Sequence, residues 1–201
     1  MERRTKPEPT ERVLDARSLR GLAHPLRIRM LTLLRTDGPA TATQLGNRLG
    51  ESSGTTSWHL RQLAEYGFIE EVRGRGTARE RWWQAAQQRT RLTETVDLSD
   101  PETRGALDVY LHEVLTMYFH RTAAFLAERE GWGEEWNNSW TLSNWELPLT
   151  AAETRDLLEQ LERLIESFRR EPRPGDALVE FQLAGYPRRR PADPSSPTGA
   201  P

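Results

Sequence analysis

Chain breakers divide residues 12–67 at short intervals. Gly21, Pro25, Asp37-Gly38-Pro39, Gly50 and Gly67 leave only brief uninterrupted stretches. Between them, apolar residues recur at helical spacing, which predicts short helices rather than one long one. The first reads from Val13, Leu14, Ala16 and Leu19 to Leu22 and Ala23. The second opens at Pro25, a residue suited to a first helical turn, and runs through Leu26, Ile28, Met30, Leu31, Leu33 and Leu34. The third is announced by Thr41 with Gln44 three residues on, a capping-box pattern, and spans about Ala42 to Leu49. Ser52 or Ser53 can cap the fourth, from about Gly54 to Tyr66. Helices this short are marginal alone in water and must pack on one another.

After Gly67 the period changes. Residues 68–73 read as a strand, Gly74-Arg75-Gly76 as a turn, and residues 77–83 as the returning strand, which ends in Trp82 and Trp83. Short helices followed by a basic hairpin describe a winged helix-turn-helix. In that arrangement the fourth helix enters the major groove and the hairpin reaches over the phosphate backbone. At about 100° per residue, Thr56, Leu60, Leu63 and Ala64 share the core arc of the fourth helix. Gly54, Thr55, Trp58, Arg61, Gln62 and Glu65 share the opposite arc, with Ser53 and Ser57 at its flank or start. Hydroxyls and Arg61 on that arc suit bases and phosphates. Trp58 has two readings: contact with a thymine methyl or the sugar-phosphate, or packing on the hairpin. Arg73, Arg75, Arg79 and Arg81 surround the turn glycines, either as phosphate contacts or as a solvated turn.

The motifs Leu22-Ala23-His24-Pro25-Leu26-Arg27, Gln44-Leu45, Thr56-Ser57-Trp58-His59-Leu60 and Gly67-Phe68-Ile69 make residues 12–84 resemble the ArsR-type winged helix-turn-helix repressors. The resemblance implies a DNA-binding fold. It places Ser53, Thr55, Ser57, Trp58 and Arg61 at groove-facing positions, and gives His59 either a helix-steadying or a phosphate-touching role. Gln62 joins them as a DNA-facing candidate, and Arg73, Arg75 and Arg79 are the candidates on the wing. His24, just before Pro25, reads as structural. The family's metal sensors carry a cysteine pair in the third helix, or paired carboxylate and histidine ligands in the dimer helix. This chain has no cysteine. Its His112 and His120 are eight residues apart, too far for one helix to bring both to one ion. They read as surface or core residues, or as halves of a site between subunits. No metal and no cofactor is expected.

Charge supports a division of labour. Residues 1–90 carry 16 Lys+Arg against 10 Asp+Glu, a net of +6, whereas residues 91–201 carry 12 against 20, a net of −8. The first part suits a polyanion and the second would be repelled by one. The net of +6 also argues against the alternative function, a winged helix that docks protein or binds a small molecule without DNA.

The remaining chain reads as a flexible arm (1–11), the winged helix-turn-helix (12–84), a polar linker (85–99), a C-terminal region (100–186) and a proline-rich disordered tail (187–201). Ser99-Asp100-Pro101-Glu102 opens a long helix to about Glu130. Its apolar stripe, including Leu107, Tyr110, Leu111, Val114, Leu115, Met117 and Phe119, is wide enough to meet both its own domain and a partner. Strands are expected at residues 139–147 and 177–183, on either side of a helix capped by Thr150 and Glu153. The whole is therefore expected as α+β: an N-terminal winged helix-turn-helix, a long dimerisation helix and a small C-terminal α/β extension. Trp132, Trp136, Trp140 and Trp145 read as core, or as the lining of a pocket for a small-molecule effector. A nucleophile elbow, a phosphate loop and a metal-ligand cluster are all missing, so no enzyme is expected. No apolar run approaches a membrane span and the opening lacks a signal-peptide core, so a cytoplasmic protein is expected. The expectation is a homodimeric repressor that binds double-stranded DNA and occludes a promoter.

Overall fold

A computed structural model describes residues 11–75, 80–92 and 96–188. Its contacts divide the chain into two units, Pro7–Asn137 and a second that takes in Asn138–Pro201. The expected arm and tail lie outside the described residues, except for residues 11, 187 and 188.

The first unit is mixed helix and sheet. It opens with a strand, β1 (Glu11–Leu14), not with the helix expected from Val13. Asp15 decides this. Its backbone is extended, its carboxylate accepts from the Ser18 N–H at 2.7 Å, and its own N–H donates to the Ser18 hydroxyl at 3.0 Å. This capping box starts α1 (Ala16–Leu22) and leaves residues 11–14 extended. β1 pairs in parallel with β5 (Arg89–Leu92), Leu14 opposite Leu92. β5 falls in the stretch expected as linker. Arg35 holds it there, donating from Nε to the Gln87 carbonyl at 2.9 Å and from Nη2 to the Thr90 hydroxyl at 2.8 Å. Burial brings this guanidinium down to about 10.

The helices α2 (Pro25–Thr36), α3 (Ala42–Leu49) and α4 (Ser53–Glu65) follow the sequence signals closely. The Thr41–Gln44 capping box forms, and Gly50 ends α3 in the left-handed region at φ 70°. Leu19, Met30, Leu45, Leu60, Leu63 and Phe68 are fully buried where these helices meet. The wing is a three-stranded sheet in the order β2 (Ala40–Thr41), β4 (Trp82–Ala85), β3 (Ile69–Glu71), with both pairs antiparallel. The short strand before α3 was not anticipated. It sets Ala40 opposite Trp83 and anchors the wing to the helices.

α5 (Pro101–Glu128) starts where the sequence placed it, capped by the Asp100 carboxylate. It packs on α1 and α2. Arg20 donates to the Thr103 hydroxyl at 3.1 Å, and Arg29 meets the buried Glu113 carboxylate at 2.5 Å. Leu107, Tyr110, Val114 and Met117 face the core.

The second unit contains α6 (Ala151–Ser167), opened by the expected Thr150–Glu153 capping box. The strands expected at residues 139–147 and 177–183 are not formed, so the α/β character expected of the C-terminal extension is corrected to helix alone among the described residues. Apolar alternation breaks at Ser143-Asn144, and neither segment pairs with a strand among the described residues. No described residue of this unit is buried.

The helix–turn–helix junction generates a prediction. A Cβ on Gly46 would stand 2.7 Å from the Glu51 carbonyl oxygen, a backbone atom held by the 2.9 Å Glu51 N–H to Gly46 O bond. Gly46→Ala should lower the unfolding free energy by about 1–3 kcal/mol in urea denaturation, because α3 and the turn must separate. Wild-type stability in this variant would refute the close approach.

Candidate nucleic-acid interface

α4 is held by one buried hydroxyl together with the packing of Leu60 and Leu63. Thr56 Oγ1 donates to the Ala42 carbonyl at 2.9 Å, with the Ser52 carbonyl at 3.0 Å. Thr56, Leu60 and Leu63 therefore face inward, as the angular reading required. Ser52 is the N-cap, and its Oγ accepts from the Thr55 N–H at 3.1 Å.

The opposite face stands open. Ser53 and Arg61 are exposed and Ser57 is half-buried. Arg61 forms no hydrogen bond or ion pair among the described residues. Trp58 is 51% exposed and meets the His59 ring edge-on at 4.7 Å. Two further candidates are partly engaged. The Thr55 hydroxyl lies 2.8 Å from Ser52 Oγ, and the Gln62 amide donates to the Glu65 carboxylate at 3.1 Å.

His59 is not on this face. It is 5% exposed and packs against His24, with ring centroids 4.4 Å apart. The phosphate-touching role is thereby corrected. Residue 59 is three positions after Thr56 and four before Leu63, so it falls in the core arc, and that spacing was available in the sequence. His24 is structural: its Nδ1 accepts from the Leu26 N–H at 3.1 Å as the N-cap of α2. Burial and the nearby Arg27 lower the pKa of His24, against an opposing pull from Glu51. Burial, His24 and Arg27 together lower that of His59. Sequence reasoning missed Arg27, whose Nε is buried without a hydrogen-bond partner among the described residues.

On the wing, Arg73 and Arg75 are exposed. The Arg75 guanidinium lies over the Trp82 ring, 3.8 Å from its centroid, which limits its wandering without neutralising it. Arg81 faces the Glu71 carboxylate at 4.0 Å. Arg79 lies outside the described residues.

The four tryptophans do not form a core. Trp132 and Trp136 belong to the first unit and meet edge-on at 5.7 Å. Trp140 and Trp145 belong to the second and are 44% and 74% exposed. Groups of three or more residues able to hold a metal ion are absent among the described residues.

Residues 22–72 match the helix-turn-helix domain family HTH_20. The chain thus carries a helix-turn-helix domain over that span. No curated protein matches. Among solved structures, it resembles one described as a "Possible transcriptional regulator for arsenical resistance", at 25% identity over 53% of this chain and 93% of the other, with TM-score 0.30. A MarR family regulator from Neisseria meningitidis is 20% identical over 74% of this chain and 78% of the other, with TM-score 0.29. A zinc-responsive MarR family member from Lactococcus lactis is 17% identical over 74% and 75%, with TM-score 0.29. No helix among the described residues is long and apolar enough to cross a membrane.

Thr56→Val tests how α4 is held. It keeps the side-chain volume but removes the donor to Ala42, and should cost about 1–2 kcal/mol in denaturant unfolding. No measurable loss would show that packing alone sets the helix.

Proposed function

We propose that this chain is a DNA-binding transcriptional regulator of the ArsR type, acting as a homodimeric repressor that occludes a promoter. One observation carries the reading. The face of α4 that bears Ser53, Ser57, Trp58 and Arg61 is open, while the rest of the helix is locked to the core through Thr56, Leu60 and Leu63. A rigid helix with short hydroxyl side chains at its start and, about two turns on, a guanidinium without a partner among the described residues suits the major groove. Exposed Arg73 and Arg75 on the wing suit the adjacent backbone, where they add affinity without sequence preference.

The homodimer rests on α5. Leu111, Leu115 and Phe119 recur every fourth residue and are 46%, 60% and 69% exposed, beside the stripe that faces the core. A second copy related by a two-fold axis would cover this stripe and present two recognition helices about one DNA turn apart. The second unit, with Trp140 and Trp145 exposed, is the proposed receiver of a small-molecule effector.

Three variants test the DNA contact in a mobility-shift assay on the protein's own upstream DNA. Arg61→Ala and Trp58→Ala should each weaken specific binding by about 1–3 kcal/mol and leave nonspecific binding nearly intact. Arg75→Ala should weaken binding to all sequences and reduce the salt slope by about 1. Unchanged specific affinity in both α4 variants would remove α4 as the reading helix. For the dimer, Leu115→Glu combined with Phe119→Glu should give a monomer in sedimentation and lower the affinity for a two-half-site operator. A dimer that persists would place the seam elsewhere.

A further inference from the structure

A stack of rings lies beneath the proposed DNA-reading helix. His24, the N-cap of α2, meets His59 of α4 at 4.4 Å between centroids, and His59 meets Trp58 at 4.7 Å. The stack thus runs from the first turn of α2 to the aromatic side chain on the open face of α4. His59 is 5% exposed, and its Nδ1 is buried with no hydrogen-bond partner among the described residues. The charged ring carries a proton on both nitrogens, so it would hold a buried Nδ1–H with no acceptor among the described residues. His24 Nδ1 already accepts the Leu26 N–H at 3.1 Å, and a proton on that nitrogen would abolish the cap. Charging both rings would set two like charges against each other across the α2–α4 contact.

The surrounding charged groups do little to relieve this. Arg27 of α2 disfavours a proton on either ring. Glu51, in the turn before α4, favours one on His24 and is exposed. Tyr66, at the end of α4, acts on Arg27, and Arg17 of α1 lies over the Tyr66 ring at 5.8 Å.

We propose that His24 and His59 are positioning residues forming a proton-operated brace: while neutral they hold α4 and Trp58 in the DNA-reading position, and protonation releases them. The proposal rests on the DNA-binding reading of α4. Its sign follows from linkage. Burial holds both imidazoles below the ordinary value of about 6.5, so the unfolded or loosened chain binds protons that the braced form refuses. Stability and specific affinity should be at full strength above about pH 7 and fall as pH drops through that ordinary value. Proton uptake by an exposed histidine near DNA acts in the opposite sense, because added positive charge tightens binding to phosphate.

The test uses the full chain with His112→Gln and His120→Gln, which leaves only the two histidines of the brace. Imidazole resonances and the Trp58 indole resonance are followed by NMR from pH 8 to pH 5. Affinity is measured by fluorescence anisotropy at constant salt, on a duplex selected by this protein from a random pool at pH 7.5. A second protein adds His24→Asn, which keeps an acceptor for the Leu26 N–H, and His59→Phe, which keeps a ring. The brace predicts binding about tenfold weaker at pH 5.5 than at pH 7.5, a loss reduced to about twofold in the second protein. It also predicts both imidazoles titrating below 6.5, with the Trp58 indole moving in step. Affinity that is level or rises on acidification overturns it, as does an equal loss in the second protein or either ring titrating at its ordinary value. If no duplex is bound at any pH, the DNA reading fails on its own. The resonances then decide the brace: concerted movement of Trp58 supports it and independent titration overturns it.

Discussion

The angle between α3 and α4 depends on very few atoms. Thr56 places one hydroxyl against the Ala42 carbonyl, and Gly46 leaves room for the Glu51 carbonyl to pass where a Cβ would stand. Gly50, in the left-handed region, turns the chain between them. A buried donor without an acceptor is costly, so the Thr56 hydroxyl specifies position as well as stability. The outward direction of Ser53, Ser57, Trp58 and Arg61 is a consequence. Helical geometry fixes their face once Thr56, Leu60 and Leu63 are fixed on the other.

The wing is tied to the same centre. β2 leads directly into α3 and pairs with β4, so the sheet carrying Arg73 and Arg75 is registered to the helix-turn-helix rather than hanging from it. Stacking on Trp82 keeps the Arg75 charge near the sheet while leaving its donors exposed. Behind this layer, α5 rests on α1 and α2 and directs a buried carboxylate, Glu113, at Arg29. A buried charge of this kind adds little net stability, but it strongly penalises any register of α5 that would leave it unpaired.

Elements with local causes were legible in the sequence. The Thr41–Gln44 and Thr150–Glu153 capping boxes, Pro25 at the first turn of α2 and Gly50 at the end of α3 all act within a few residues, and each marked a real boundary. The open and buried faces of α4 were equally readable, apart from His59. There the resemblance left both a helix-steadying and a phosphate-touching role open, and the angular position points to the core, in keeping with the first. The parallel β1–β5 pair was not legible, because its strands are joined only by long-range contacts and neither alternates strongly. The strands expected at residues 139–147 and 177–183 failed for the complementary reason: β-propensity expresses packing against neighbouring strands, and neither segment lies beside a strand among the described residues.

Sequence by itself determined where helices begin and end, which residues share a face, and that a helix-turn-helix with a basic hairpin occupies the first part of the chain. These are consequences of short-range hydrogen bonding and of a fixed angular period. Tertiary structure alone decided that β1 pairs with β5, that β2 moors the wing, and that two histidines far apart in sequence meet beneath α4. Each of these depends on which surfaces meet when water is excluded, and packing of that kind is not encoded in any one segment.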